Sequence, residues 1–232
     1  MIGTNFDEVA AEYDESLPSY VVEHYLKKRL TFIQEHTQPG KTLDVGCGTG
    51  QLANRVAKVG YDVVGMDPSR GMLGVMRRAD ASPAGVTGSG MALPFPDGTF
   101  DLTYCIAVMH HVAEPERVHA TLTEMARVTK PGGHILVWDH NPRNPYWPYL
   151  MRRVPQDTGE ERLIPESEIL DGLKAGGARI LLSQPLGLMP DFTPRWLLPV
   201  VARAEAVVER VPVLNRLCAH NVVLAVKEAA AS

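Results

Sequence analysis

Apolar and polar residues recur along the chain with two different periods. In VVEHYLKKRLTFIQEH, residues 21–36, Val21, Val22, Tyr25, Leu26, Leu30 and Ile33 fall near one face of a helix. Residues 1–36 therefore read as helical, and Gln38-Pro39-Gly40 closes them with a turn signal. The rhythm then changes. Short β-rich runs, TLDVG, YDVVGMD, FDLTYCIAV and HILVWDH, are separated by helical stretches such as QLANRVAKVG and RVHATLTEMARVTKPGG. Strands that alternate with helices predict a mostly parallel sheet covered on both faces. After His140 the segment HNPRNPYWPYLMRRVPQD interrupts with prolines and aromatics. The pattern resumes with a helix ending at Gly176-Gly177, a strand around RILLSQ, an amphipathic helix from Leu197 to Val211 and a last strand near NVVLAV. In that helix Leu197, Val200, Val201, Ala204, Val208 and Val211 form one stripe, expected to pack on the sheet or close a subunit contact. One sheet with a decorated C-terminal half accounts for the order without a second domain.

Composition narrows the class. Of 232 residues, 45% are apolar and 22% charged, the balance of a globular chain. Lys and Arg number 23 against 27 Asp and Glu, and a formal charge of −4 argues against a protein built to hold nucleic acid. Cys47, Cys105 and Cys218 are far apart and odd in number, which suits neither a disulfide framework nor a paired-cysteine zinc site. The N-terminal MIGTNFDEVAAEYDES carries acids where a secretory signal needs basic and then apolar residues. No uncharged apolar run approaches the ~20 residues of a spanning helix. The expectation is a cytoplasmic protein, monomeric or homodimeric, without stable membrane insertion.

Chemistry enters at Leu43-Asp44-Val45-Gly46-Cys47-Gly48-Thr49-Gly50, where a strand runs into three glycines ahead of a helix. Glycine suits positions of positive φ or close backbone approach to a ligand, and such a loop sits at the carboxyl edge of a parallel sheet. A plain strand-to-helix turn is the simpler alternative. The next strand ends in Asp67, 17 residues after Gly50, where a carboxylate can accept hydrogen bonds from both ribose hydroxyls. Asp67 would equally open the turn Asp67-Pro68-Ser69, and the two roles are compatible. A dinucleotide site wants G-x-G-x-x-G. Here the third glycine comes one residue too early, and Asp44 would repel a pyrophosphate but attract an ammonium group. The ligand should carry ribose, adenine and a positive charge and no phosphate, which describes S-adenosylmethionine, with S-adenosylhomocysteine as its product. A nicotinamide-dependent oxidoreductase and a cofactor-binding protein without turnover are the competing readings.

From about residue 6 to 138 the chain resembles the class I S-adenosylmethionine-dependent methyltransferases, in the small-molecule group called type 11. FDEVAAEYD (residues 6–14) resembles that family's N-terminal lid, in which the tyrosine matching Tyr13 lies over the cofactor. LDVGCGTG resembles its cofactor loop, and MDPS (66–69) its ribose-binding acid and turn. LPFPDGTFD (93–101) resembles the approach to strand four, and RVTKPGG (127–133) the turn before strand five. The resemblance implies an α/β, Rossmann-like three-layer sandwich, its seven-stranded sheet mostly parallel with the last strand antiparallel. It implies a lid over 1–36, a cofactor-binding core over 37–139 and a substrate-side C-terminal part over 140–232. Cofactor contacts fall on Tyr13, Asp44, Gly46, Cys47, Gly48, Gly50, Gln51, Asp67, Pro68, Met72, Ser89, Gly90, Met91 and Ile106. Ser89 departs from the family, which places there an Asp that accepts the adenine amino hydrogen. A hydroxyl does so without charge assistance, at about half the strength.

Methyl transfer from a sulfonium is an in-line displacement governed by positioning. A base is needed only where the acceptor must lose a proton. His110 follows strand four and Asp139 follows strand five, and related enzymes use a His and an Asp there, so these two form the candidate catalytic pair. A helix-start histidine and a turn aspartate are the plain alternatives. His111, His140, Tyr146 and Trp147 are the candidate acceptor contacts, since a long aromatic loop at this edge suits an organic molecule. No pair has metal-ligand spacing with a carboxylate partner, so no metal is expected. Oxygen is the favoured atom of a small organic acceptor, with a quinone or lipid-like molecule as the alternative.

Overall fold

The central strands of the sheet are apolar on both faces, and this is why helices cover both. A computed structural model describes residues 5–79, 82–151 and 161–229. In chain order the elements are α1 (Phe6–Val9), α2 (Ser19–His36), β1 (Lys41–Val45), α3 (Gln51–Lys58), β2 (Asp62–Asp67) and α4 (Arg70–Met76). There follow β3 (Ala84–Thr87), β4 (Phe100–Ile106), α5 (Met109–Val112), α6 (Pro115–Val128), β5 (Thr129–His140) and α7 (Trp147–Leu150). The chain ends with α8 (Glu166–Ala175), β6 (Ala178–Leu186), α9 (Leu198–Val208) and β7 (His220–Lys227). Residues 1–4 of the expected lid and 152–157 of the proline-aromatic segment lie outside the described residues.

The seven strands run in the order β3-β2-β1-β4-β5-β7-β6. Strands β1 to β5 pair in parallel, and β7 is antiparallel to both β5 and β6. Alternate residues serve opposite faces. Ile135, Val137, Val223 and Ala225 pack with Leu122, Met125, Ile169 and Leu173 of α6 and α8. Leu136, Trp138, Val222 and Leu224 pack with Leu26, Ile33, Leu52 and Val56 of α2 and α3. Strand order reverses between β1 and β4, and the carboxyl ends of these strands open the crevice where ligands of such sheets bind.

Three expectations need correction. The segment Ala84–Thr87 is a strand at the sheet's edge, though AGVT offers no apolar run to read. The Lys130-Pro131-Gly132-Gly133 stretch lies inside β5: Phe100 pairs with Thr129 and Leu102 already with His134, so the bulge absorbs it. The apolar stripe of α9 does not pack on the sheet. Val200 is 56% and Val211 37% exposed, and the helix turns Glu205 inward.

Candidate active site

The glycine loop leaves β1 with φ of 73°, 53° and 77° at Gly46, Gly48 and Gly50, a backbone region that L side chains rarely adopt. A Cβ on Gly46 would meet Val108 at 2.5 Å and one on Gly50 would meet Met76 at 2.2 Å, so both also permit close packing. A Cβ on Gly48 would meet nothing within 4 Å. This middle turn therefore faces open space at the end of β1. Asp67 holds it in place: one carboxylate oxygen accepts from the Gly48 amide at 2.9 Å, the other from the Ser69 amide at 2.8 Å. The turn role does not use up the carboxylate, because each oxygen keeps a second lone pair. Burial raises the Asp67 carboxyl above its ordinary value despite these bonds. Asp44, 3% exposed, is pushed up to about 7 by burial, with the Asp67 charge adding in the same direction.

The N-terminal segment reaches over this crevice. Asp7 accepts from the Ser69 hydroxyl and the Gly71 amide, both at 2.6 Å, and Asp14 accepts from the Thr49 hydroxyl at 2.7 Å. Gly71 is needed here, since a Cβ would lie 2.9 Å from the Asp7 backbone. The Phe6 ring meets His111 edge-on at 5.1 Å and Tyr13 at 6.3 Å. Tyr13 thus lies in the segment that bridges the glycine loop, the start of α4 and α5. Gln51 begins α3, Met72 is buried in the first turn of α4, and Ile106 ends β4. Pro68 is exposed. The Cys47 thiol packs against Met76, and its amide donates to Met66. Ser89 is exposed and accepts from the Met91 amide at 3.3 Å, while Gly90 sits against Thr121.

His110 and Asp139 come together. Nδ1 of His110 lies 3.0 Å from Oδ1 of Asp139, and both residues are buried. The other Asp139 oxygen accepts from the Val108 and Met109 amides at 2.9 and 2.6 Å, which anchors α5 over the sheet edge. Burial alone would raise the Asp139 carboxyl. The charge and hydrogen bond of His110, with the His140 and Met109 amides, outweigh it and hold the group below the carboxylate range. With Nδ1 bound to an anion, Nε2 of His110 is the atom left to accept a proton. Ala107, at φ 55°, leads the chain out of β4 beside this pair, a strained backbone of the kind kept at functional sites.

A stack of buried rings lies beside this pair. His140 lies between His110, at 4.0 Å and 17°, and Trp147, at 3.6 Å and 7°. Burial, then the charges of neighbouring histidines, depresses His140 far below the ordinary imidazole value; burial first also lowers His111 to about 3 and His220 to about 3. These rings stay neutral near pH 7 and do not repel a cationic ligand. His110, Asp139 and His140 place ligand-type atoms within 4.8 Å of one another. An ion must lie about 2.0–2.1 Å from each imidazole nitrogen and near the ring plane, and two stacked, nearly parallel rings do not converge on such a point. Tyr146 donates to Asp191 and meets Phe192 at 5.7 Å, so it leads away from the ring stack toward the segment before α9.

Arg29 is the residue that sequence reasoning passed over. It lies on α2, buried enough that its pKa is lowered to about 10, within reach of the charges of Tyr13, Asp139 and Asp44. Its Nε makes no hydrogen bond, and its guanidinium sits 5.6 Å from the centre of the Tyr25 ring. The signal was present: position 29 falls on the apolar stripe of α2, between Leu26 and Ile33. Asp44 and Arg29 thus interact as opposite charges, the first at the end of β1 and the second on α2.

Comparison with known proteins identifies the family. Residues 43–137 match a family model described as a methyltransferase domain. The chain is 37% identical over 164 residues to the demethylmenaquinone methyltransferase of Renibacterium salmoninarum, covering 64% of this chain and 68% of that protein. It is 27% identical to the ubiquinone biosynthesis O-methyltransferase of Acinetobacter baylyi, covering 84% and 89%. In fold it is similar to a SAM-dependent methyltransferase from Archaeoglobus fulgidus, with a TM-score of 0.68 at 16% identity over 93% of this chain and 98% of that one.

Proposed function

The chain belongs to the class I S-adenosylmethionine-dependent methyltransferases, and from that premise we propose that its acceptor is a quinol-type phenol. Family membership sets aside the nicotinamide-dependent alternative. When bound, S-adenosylmethionine supplies an electrophilic methyl carbon on a sulfonium. In this reading Asp44 and Arg29 hold the ammonium and carboxylate of its amino-acid end. Asp67 takes the ribose hydroxyls, Gly48 gives backbone room, and Ser89 with Gly90 and Met91 borders the adenine. Tyr13 and Phe6 close the crevice against water.

The observation that carries the acceptor is the His110–Asp139 pair at 3.0 Å, beside the glycine loop. A positioned donor methyl needs no base when the acceptor is already a nucleophile. A phenol does need one near neutral pH, because the phenolate and not the phenol is the strong nucleophile. His110 takes the phenolic proton on Nε2. Asp139 fixes its tautomer and balances the imidazolium that forms. The quinone-linked names of relatives at 37% and 27% identity support the same acceptor class. The phenolate spreads its charge between oxygen and ring carbon, so O-methylation, the favoured outcome from sequence, and ring methylation share this first step. Labelled S-adenosylmethionine mixed with reduced and oxidised short-chain quinones tests the proposal. Transfer to the quinol and none to the quinone is expected; transfer to neither refutes the acceptor class.

A further inference from the structure

The segment from 192 to 217 leaves the sheet at the end of β6 and returns at the start of β7, the edge that carries His140 and His220. Several of its large apolar side chains point outward. Trp196 is 79% exposed, Phe192 68% and Val213 71%. Along α9 and its flanks Trp196, Val200, Val207 and Val211 follow one helical stripe. Isolated exposed apolar residues are ordinary, but a contiguous patch marks a surface that meets something.

The charges in the segment are sorted by sign. Arg195, Arg203, Arg210 and Arg216 are all exposed. The two acids of the stretch, Glu205 and Glu209, face the other way. Glu205 accepts from His24 at 2.9 Å, from Lys28 at 2.7 Å, and from the Leu188 and Met189 amides; Glu209 pairs with Lys28 and the Gly187 amide. The outer face of 192–217 is therefore apolar and purely cationic on a chain of net charge −4. From sequence its polar residues mix both signs; in the fold the acids are consumed internally.

We infer that this face docks on the surface of a bilayer rich in anionic phospholipid. Apolar side chains enter the interfacial region while arginines stay at the headgroups, as in helices that lie in a membrane surface. The inference deepens the acceptor reading and rests on it in part: a lipid-soluble quinol is reached from the bilayer, and Phe192 meets Tyr146, the sequence neighbour of Trp147 in the ring stack. Among the described residues no helix is long and apolar enough to cross a membrane, so this contact is peripheral.

The chain carries its own reporter. Trp138 is fully buried and Trp147 9% exposed, so a change in tryptophan emission on adding vesicles reads Trp196. Equimolar phosphatidylglycerol and phosphatidylcholine vesicles should shift the emission of the full chain to the blue and sediment it; pure phosphatidylcholine should do neither. Arg203→Glu with Arg210→Glu should weaken sedimentation more than tenfold, and Trp196→Ser should abolish the shift, with melting temperature unchanged in both variants. No sedimentation with the anionic vesicles overturns the inference. So does a dimer in ultracentrifugation that Trp196→Ser dissolves, which would assign the face to a second copy of the chain. No acceptor is present in these assays, so their failure is distinguishable from failure of the quinol reading.

Discussion

Asp44 carries the heaviest electrostatic demand in the crevice, and its behaviour with pH follows from burial. Its carboxyl sits at about 7 without ligand. A ligand ammonium favours the ionised form, so binding expels a proton below that value. Affinity for S-adenosylhomocysteine should therefore rise as pH increases from about 6 to 7.5. It should level off above that, once Asp44 is already ionised in the free protein. Calorimetry across this range should show the rise in the wild type and a flat, weaker response in Asp44→Asn; a rise in both refutes the assignment. His110 makes a separable demand. His110→Ala should lower kcat on a quinol by about 10²–10⁴-fold and leave cofactor affinity unchanged, as single-turnover assays and calorimetry would show. The gathering of Asp67, His110 and Asp139 at one sheet edge was legible in sequence because glycines and strand ends announce that edge. Arg29 was not, because helical periodicity assigns a face and does not say what an isolated cation on that face opposes.

The N-terminal segment and α9 are each held by acids that bind donors on other elements. Glu205 joins α9 to α2 and to the chain after β6. Burial would raise its carboxyl, but the His24 hydrogen bond and the Lys28 charge bring it to about 2 from an ordinary 4.5. A depressed carboxylate contributes stability above its unfolded value and loses it as pH falls through the folded one. Glu205→Gln should accordingly destabilise the protein by about 3 kcal/mol at pH 7, a gap that narrows below about pH 4. Urea unfolding at both pH values checks this. The lid makes its own prediction. Asp7→Ala removes the acceptor of Ser69 and Gly71 and should raise the KM for S-adenosylmethionine several-fold while kcat holds; an unchanged KM means that the latch does not govern closure. At this scale periodicity served well where burial is uniform, as in β1, β2, β4 and β5. It failed at β3, where four residues at an edge need no apolar run. It also failed on α9, whose apolar stripe faces outward because Glu205 and Glu209 are consumed inside.

Across the whole molecule, seven strands and two helical layers bring the ends of β1, β2, β4 and β5 to one edge. The alternation of strands and helices made this architecture readable before any coordinate. The meeting of the lid with the glycine loop was less so, because Asp7–Ser69 and Asp14–Thr49 join positions that no local pattern links. The account turns on a nucleoside seated across β1 and β2 with its sugar on Asp67. Calorimetric titration of wild type and Asp67→Ala with S-adenosylhomocysteine and its 2′-deoxy analogue tests this most directly. Wild type should prefer the intact ribose by about tenfold or more, and Asp67→Ala should bind both weakly with no preference between them. An equal preference for the ribose in both proteins would contradict the account.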